Sequence, residues 1–143
     1  MSKQIPRVTK TTTQLQIPFH DVDAMRVAWH GHCFKYFEIA RTQFLQQIGY
    51  DYPQMLQSNC FWPVIDCHCR FIRPIIYGME ICIETTLAEF EIRLRFDYLI
   101  KNAETGERLS EGYTIQVAID AETKELYLES PQTLLDCLGV TLE

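Results

Sequence analysis

The sequence predicts an α+β fold in which one long helix packs against one face of a curved antiparallel sheet. Three observations lead there. Residues 30–48 repeat their apolar positions at helical spacing, most of the chain beyond residue 63 alternates in strand fashion, and turn signals divide those strands at hairpin distances. The 143 residues, 47% hydrophobic and 22% charged, suit a single domain around one core.

Taken in order, residues 1–10 are polar and are expected to form a flexible N-terminus ahead of a domain over 11–143. Residues 11–19 (TTTQLQIPF) read as a first strand, with Pro18 near its end. A loop over 20–29 follows. In the helix, Cys33, Tyr36, Phe37, Ala40, Phe44 and Ile48 fall on one face and Lys35, Thr42 and Gln46 lie opposite, with Gly49 as the stop. Residues 51–59 read as a linker.

Residues 64–76 read as a strand with Val64, Asp66, His68, Arg70 and Ile72 on one face and Ile65, Cys67, Cys69, Phe71 and Ile75 on the other. Tyr77-Gly78 turns the chain into a strand over 79–90. Ile92, Leu94, Phe96, Tyr98 and Ile100 then alternate with Arg93, Arg95, Asp97 and Lys101, the pattern of a half-exposed strand. A turn over 102–108 leads to a strand over 110–119, with Tyr113, Ile115, Val117 and Ile119 on one face. After a second turn at 120–124 come a short strand near Leu126–Leu128 and a terminal helix opened by Pro131.

Composition removes several functions. The net charge is −6 and no basic stripe is present, which argues against nucleic acid as a partner. No run approaches the ~20 apolar residues of a membrane span. Residues 1–10 lack the apolar core of a signal peptide, so a cytoplasmic protein is expected. The six cysteines are irregularly spaced, and free thiols acting as small hydrophobes are expected. Cys67-His68-Cys69 has no second ligand pair at zinc spacing, so neither metal nor other cofactor is expected.

Candidate chemistry gathers in FHDVDAMRVAWHGHCFKYFEIART, residues 19–42. Asp21 and Asp23 precede the helix, where carboxylates cap loops and helix starts and also serve as bases or nucleophiles. A helix N-terminus offers free N–H donors to an oxyanion. His30 is suited both to polarising a carbonyl and to a structural hydrogen bond.

This segment resembles the 4-hydroxybenzoyl-CoA thioesterase-like family, particularly its short bacterial acyl-CoA thioesterases. The family motif is matched without a gap by Asp21, Asp23, Val27, Ala28, Trp29 and His30, then by Phe37, Glu38, Ala40, Arg41 and Thr42. Arg73-Pro74, Tyr77-Gly78 and the strand around Gly112 extend the resemblance over nearly the whole chain. The resemblance implies a single-domain hotdog fold, a helix wrapped by the sheet, and a homodimer or homotetramer with active sites between subunits.

By the same resemblance Asp23 is the nucleophile or general base, with an oxyanion site at the backbone of His30 or Gly31. Asp21 is expected to be structural, and Glu38 with Arg41 a structural pair. Two positions depart from the family: Arg26 stands where a glycine is usual and His32 where an asparagine is. Arg26 is expected to narrow the pocket or meet a phosphate. The hydroxyl usual in the central strand is missing near residues 93–96. Arg93 and Arg95 are candidates for CoA phosphates or for a solvated strand face, and Phe61 and Trp62 for an acyl or aryl pocket or plain core. The expected substrate is an acyl- or aryl-CoA thioester. The alternatives are an acyl-carrier-protein thioester in fatty-acid or polyketide-like biosynthesis, or a non-catalytic module that binds acyl thioesters.

Overall fold

The computed structural model describes residues 4–141. A five-stranded antiparallel sheet carries one long helix on one face, the predicted α+β arrangement. The strands are β1 (Lys10–Gln16), β3 (Val64–Phe71), β4 (Glu80–Glu89), β5 (Arg93–Asn102) and β6 (Arg108–Val117), in the spatial order β1-β4-β5-β6-β3. A separate pair joins β2 (Cys60–Phe61) to β7 (Ile119–Asp120). The helices are α1 (His32–Gln47), α2 (Tyr52–Gln57) and α3 (Gln132–Leu138).

The aromatic stripe of α1 does what its spacing predicts. Tyr36, Phe37, Ala40 and Phe44 are almost fully buried. Phe37 stacks on Tyr98 of β5 at 4.3 Å between ring centroids, and Phe44 meets Phe96 edge-on at 5.0 Å. Gly49 ends the helix with φ of +80°, its N–H donating to Gln46 O while Tyr50 N–H donates to Leu45 O.

Several elements differ from the sequence reading. The segment 51–59 is not a plain linker: Asp51 and Gln54 form a reciprocal capping box and Pro53 sits in the first turn, which nucleates α2. The first strand stops at Gln16, and Phe19–Asp21 form one 3-10 turn. The strand predicted over 64–76 ends at Phe71, and near Leu126 only an isolated bridge to Ile119 forms. On β6 the apolar row Tyr113, Ile115 and Val117 lies on the outer face. Ser110, Gly112, Thr114 and Gln116 face the helix, because they pair with Ile100, Tyr98, Phe96 and Leu94. Gly112 is required there: a Cβ at this position would lie 2.0 Å from the His68 carbonyl oxygen and 2.9 Å from the Phe37 ring.

Of the N-terminus expected to be flexible, residues 1–3 lie outside the described residues. Arg7 donates its N–H to Leu138 O and its guanidinium to Cys137 O, tying the segment to α3. Pro131 caps α3, whose Leu134, Leu135 and Leu138 complete the core. β3 is an edge strand exposed on both faces, Val64, Ile65 and Phe71 among its exposed residues. Among the described residues no helix is long and apolar enough to cross a membrane.

Candidate functional site

Residues 21–29 fold into a small hairpin in front of α1. Trp29 N–H donates to Asp21 O, Asp23 N–H to Val27 O and Arg26 N–H to Asp23 O, and Val22 bridges Ala28. The hairpin is fastened to the segment after β3 by Ala28 N–H to Ile75 O and by Tyr77 N–H to Arg26 O. Arg26 sits at the tip with φ of +63°, a left-handed conformation that costs a Cβ-bearing residue about 1–2 kcal/mol.

Asp21 anchors the hairpin to the helix. Its carboxylate, 2% exposed, accepts from Lys35 Nζ at 2.5 Å and Tyr36 Oη at 2.8 Å. His32 Nε2 lies 3.9 Å from the same group. Burial pushes the Asp21 carboxyl up, but Lys35 and Tyr36 outweigh it and hold the group below its ordinary value. Burial together with the Asp21 charge drives the Tyr36 phenol well above its ordinary range.

Asp23 is exposed at the hairpin and has two faces. Oδ1 accepts from Met25 N–H at 2.8 Å and Val27 N–H at 3.3 Å, closing the turn as Asx residues do. Oδ2 receives no hydrogen bond among the described residues and is available for chemistry. Asp23 and His30 line one cavity of about 370 Å³, together with Trp29, Cys33 and Tyr36 on the helix side and Phe71–Ile75 on the other. The Trp29 ring lies 5.1 Å from the His30 ring and covers Gly31, where an added Cβ would clash with it at 2.3 Å.

At the helix start the His32 and Cys33 N–H groups are taken up by Trp29 O and His30 O. The N–H groups of His30 and Gly31 donate to no other described residue. They are therefore the donors left over where the helix dipole is positive.

The remaining expected site residues lie elsewhere. Trp62 is buried and donates Nε1–H to Tyr50 Oη at 2.8 Å, a core contact that lines neither cavity at Asp23. Arg93 and Arg95 lie on the outer face of β5. Arg93 forks onto Glu89 at 2.6 and 3.3 Å, while Arg95 bonds Asp97 at 3.0 Å and stacks over Tyr113 at 4.4 Å. Glu38 and Arg41 pair, with Arg41 buried. All six cysteines are free, and among the described residues no three potential ligands cluster as a metal site would require.

The sequence reading missed several residues around the site. The exposed Arg73, whose Nε lies 3.2 Å from Glu107, borders the cavity, and Cys33 in its lining interacts electrostatically with Cys69. Arg73 stood in a matched segment, which was a usable signal. The Cys33–Cys69 interaction joins α1 to β3 and leaves no local trace.

Comparison with known proteins gives the family and the fold. Residues 17–135 match the model of the thioesterase-like superfamily. A protein of Synechocystis sp. described as a candidate esterase is 30% identical over 120 residues, which cover 83% of this chain and 72% of that protein. The structure of a DHNA-CoA thioesterase from Staphylococcus aureus superposes with a TM-score of 0.77 at 25% identity, covering 83% of this chain and 80% of that one. A mutant 4-hydroxybenzoyl-CoA thioesterase complexed with 4-hydroxybenzoyl-CoA superposes with a TM-score of 0.80 at 16% identity, over 92% and 99% of the two chains. The fold is that of the hotdog thioesterases.

Proposed function

The chain belongs to the thioesterase-like superfamily and is a thioester hydrolase; on that premise we propose that it hydrolyses an acyl- or aryl-CoA thioester at Asp23. The reading is carried by Asp23, which borders the cavity while one of its carboxylate oxygens has no partner among the described residues. In the reaction Asp23 either attacks the carbonyl carbon, releasing the CoA thiolate and forming a mixed anhydride that water opens, or takes a proton from the attacking water. The oxyanion is received by the unengaged N–H groups of His30 and Gly31, with the positive end of α1 behind them. His30 stands beside the same cavity and is suited to orienting the thioester or water.

A homodimer joined along β3 fits this reading. The strand is an unpaired edge with exposed apolar residues, which proteins normally cover. The cavity is walled by Phe71–Ile75, so a second copy docked on β3 would enclose it. Size-exclusion chromatography with light scattering reads the oligomer.

The decisive experiment measures thiol release from a panel of acyl- and aryl-CoAs, 4-hydroxybenzoyl-CoA included. Asp23→Asn is expected to lower kcat by at least about 100-fold. Activity equal to wild type in that variant would remove Asp23 from the chemistry.

A further inference from the structure

Asp23 also borders a second cavity, of about 480 Å³, whose other walls are Phe19, Val22, Ala24, Arg26 and Tyr77. Among the described residues no other is shared with the first cavity, so Asp23 stands at their junction. Phe19 and Tyr77 meet edge to face at 5.9 Å and are 77% and 52% exposed, leaving aromatic surface uncovered beside the reacting group.

Arg26 supplies the charge. It holds a left-handed backbone that glycine would adopt without cost. An energetically unfavourable residue beside a reacting group points to a functional reason for keeping it. Arg41, Arg70, Arg73, Arg93 and Arg95 each meet a carboxylate. The guanidiniums of Arg26 and Arg108 have no such partner among the described residues, and of the two only Arg26 lines a cavity at Asp23.

We infer that this second cavity receives the acyl group of the thioester, and that Arg26 selects acyl groups carrying a carboxylate a few bonds from the thioester carbon. The inference rests on the thioesterase reading and adds a substrate class to it. Placement separates this from recognition of a CoA phosphate, because Arg26 lines the second cavity and not the first. Arg26 closes a single turn with Asp23, and such turns keep their end residues within about 7 Å. An arginine side chain extends about 7 Å by ordinary bond lengths, whereas the two-amide pantetheine arm spans roughly 15 Å before its first phosphate. With the pantetheine arm in the first cavity, an anion that meets Arg26 in the second at shorter extension than a phosphate is carried by the acyl group. The pantetheine arm leaves through the first cavity, whose Arg73 is already occupied by Glu107.

The test is calorimetric binding of adipyl-CoA and hexanoyl-CoA, equal in chain length, to the Asp23→Asn protein, which should not turn either over. Adipyl-CoA is expected to bind about tenfold more tightly. Adding Arg26→Gln should bring the ratio close to one, and Arg26→Lys should restore most of it. Equal affinities in Asp23→Asn, a ratio that survives Arg26→Gln, or no binding of either thioester would each overturn the inference. Hydrolysis of the same pair by wild type is read separately. A charge preference in binding without turnover would refute the catalytic reading and leave the Arg26 subsite standing.

Discussion

Tyr36 donates its hydroxyl to Asp21 Oδ2 at 2.8 Å across the junction between the hairpin and α1. With Lys35 on the other oxygen, this bond fixes where the hairpin leaves the helix, and so where Asp23 stands two residues later.

This junction should make the fold acid-sensitive. A carboxyl held lower in the folded than in the unfolded chain binds fewer protons when folded. Its contribution is complete above the unfolded value of about 3.9 and is lost as pH falls through the lower folded value. Asp21→Asn should cost about 2 kcal/mol at neutral pH and flatten the dependence of Tm on pH below about 4. Thermal melts across pH check both, and parallel slopes for variant and wild type would contradict the assignment.

The two faces of Asp23 predict different behaviour for two substitutions. Asparagine keeps an oxygen for the Met25 and Val27 N–H groups, so Asp23→Asn should melt close to wild type. Asp23→Ala leaves both donors without their acceptor and should lose about 1 kcal/mol. Equal Tm values for the two variants would mean that the turn does not depend on Oδ1.

Gly112→Ala should be severely destabilising, by about 3 kcal/mol or more, because the added carbon meets the backbone of β3, which cannot rotate away. Denaturant titration measures this. A loss under about 1 kcal/mol would show that β3 can shift relative to β6.

Thr85 offers the opposite case. It is fully buried between β1 and β5, and its hydroxyl has no partner among the described residues. Thr85→Val removes an unpaid desolvation at nearly equal volume and should stabilise by about 1 kcal/mol. A lowered Tm would mean that the hydroxyl is satisfied in solution.

Interaction with Cys69, together with burial, drives the Cys33 thiol far up, while the same interaction pulls Cys69 down. Iodoacetamide should therefore label Cys69 before Cys33, as read by peptide mass spectrometry. Equal labelling rates would remove the asymmetry.

What the sequence disclosed followed the strength of local patterns. The helix of α1 was legible because Cys33 to Ile48 repeat at its period, and β5 because Leu94 to Ile100 alternate cleanly. On β6 the pattern inverts: the helix-facing row is small and polar to accommodate the aromatic rings of α1, and the apolar row lies on the outer face under Arg95. Motif spacing singled out Asp23 and His30, and the structure sets both on one cavity. The double duty of the Asp23 oxygens was not legible, since it arises from the shape of the hairpin. The same holds for Arg93, whose partner Glu89 is met only where β4 turns into β5, and for the cavity that brings Phe19 to Tyr77, whereas the Arg95–Asp97 pair lies along one strand face and was open to reading.

Strand order also sets a timetable for synthesis. β3 pairs with β6 and not with β4, the next strand in sequence. A nascent chain that has released residues 64–71 from the ribosome therefore has no place in the sheet for them until residues 108–117 have followed. In that interval Val64, Ile65 and Phe71 are carried on an unpaired segment, the kind that other chains capture. The pace of translation between the two strands decides how long that exposure lasts.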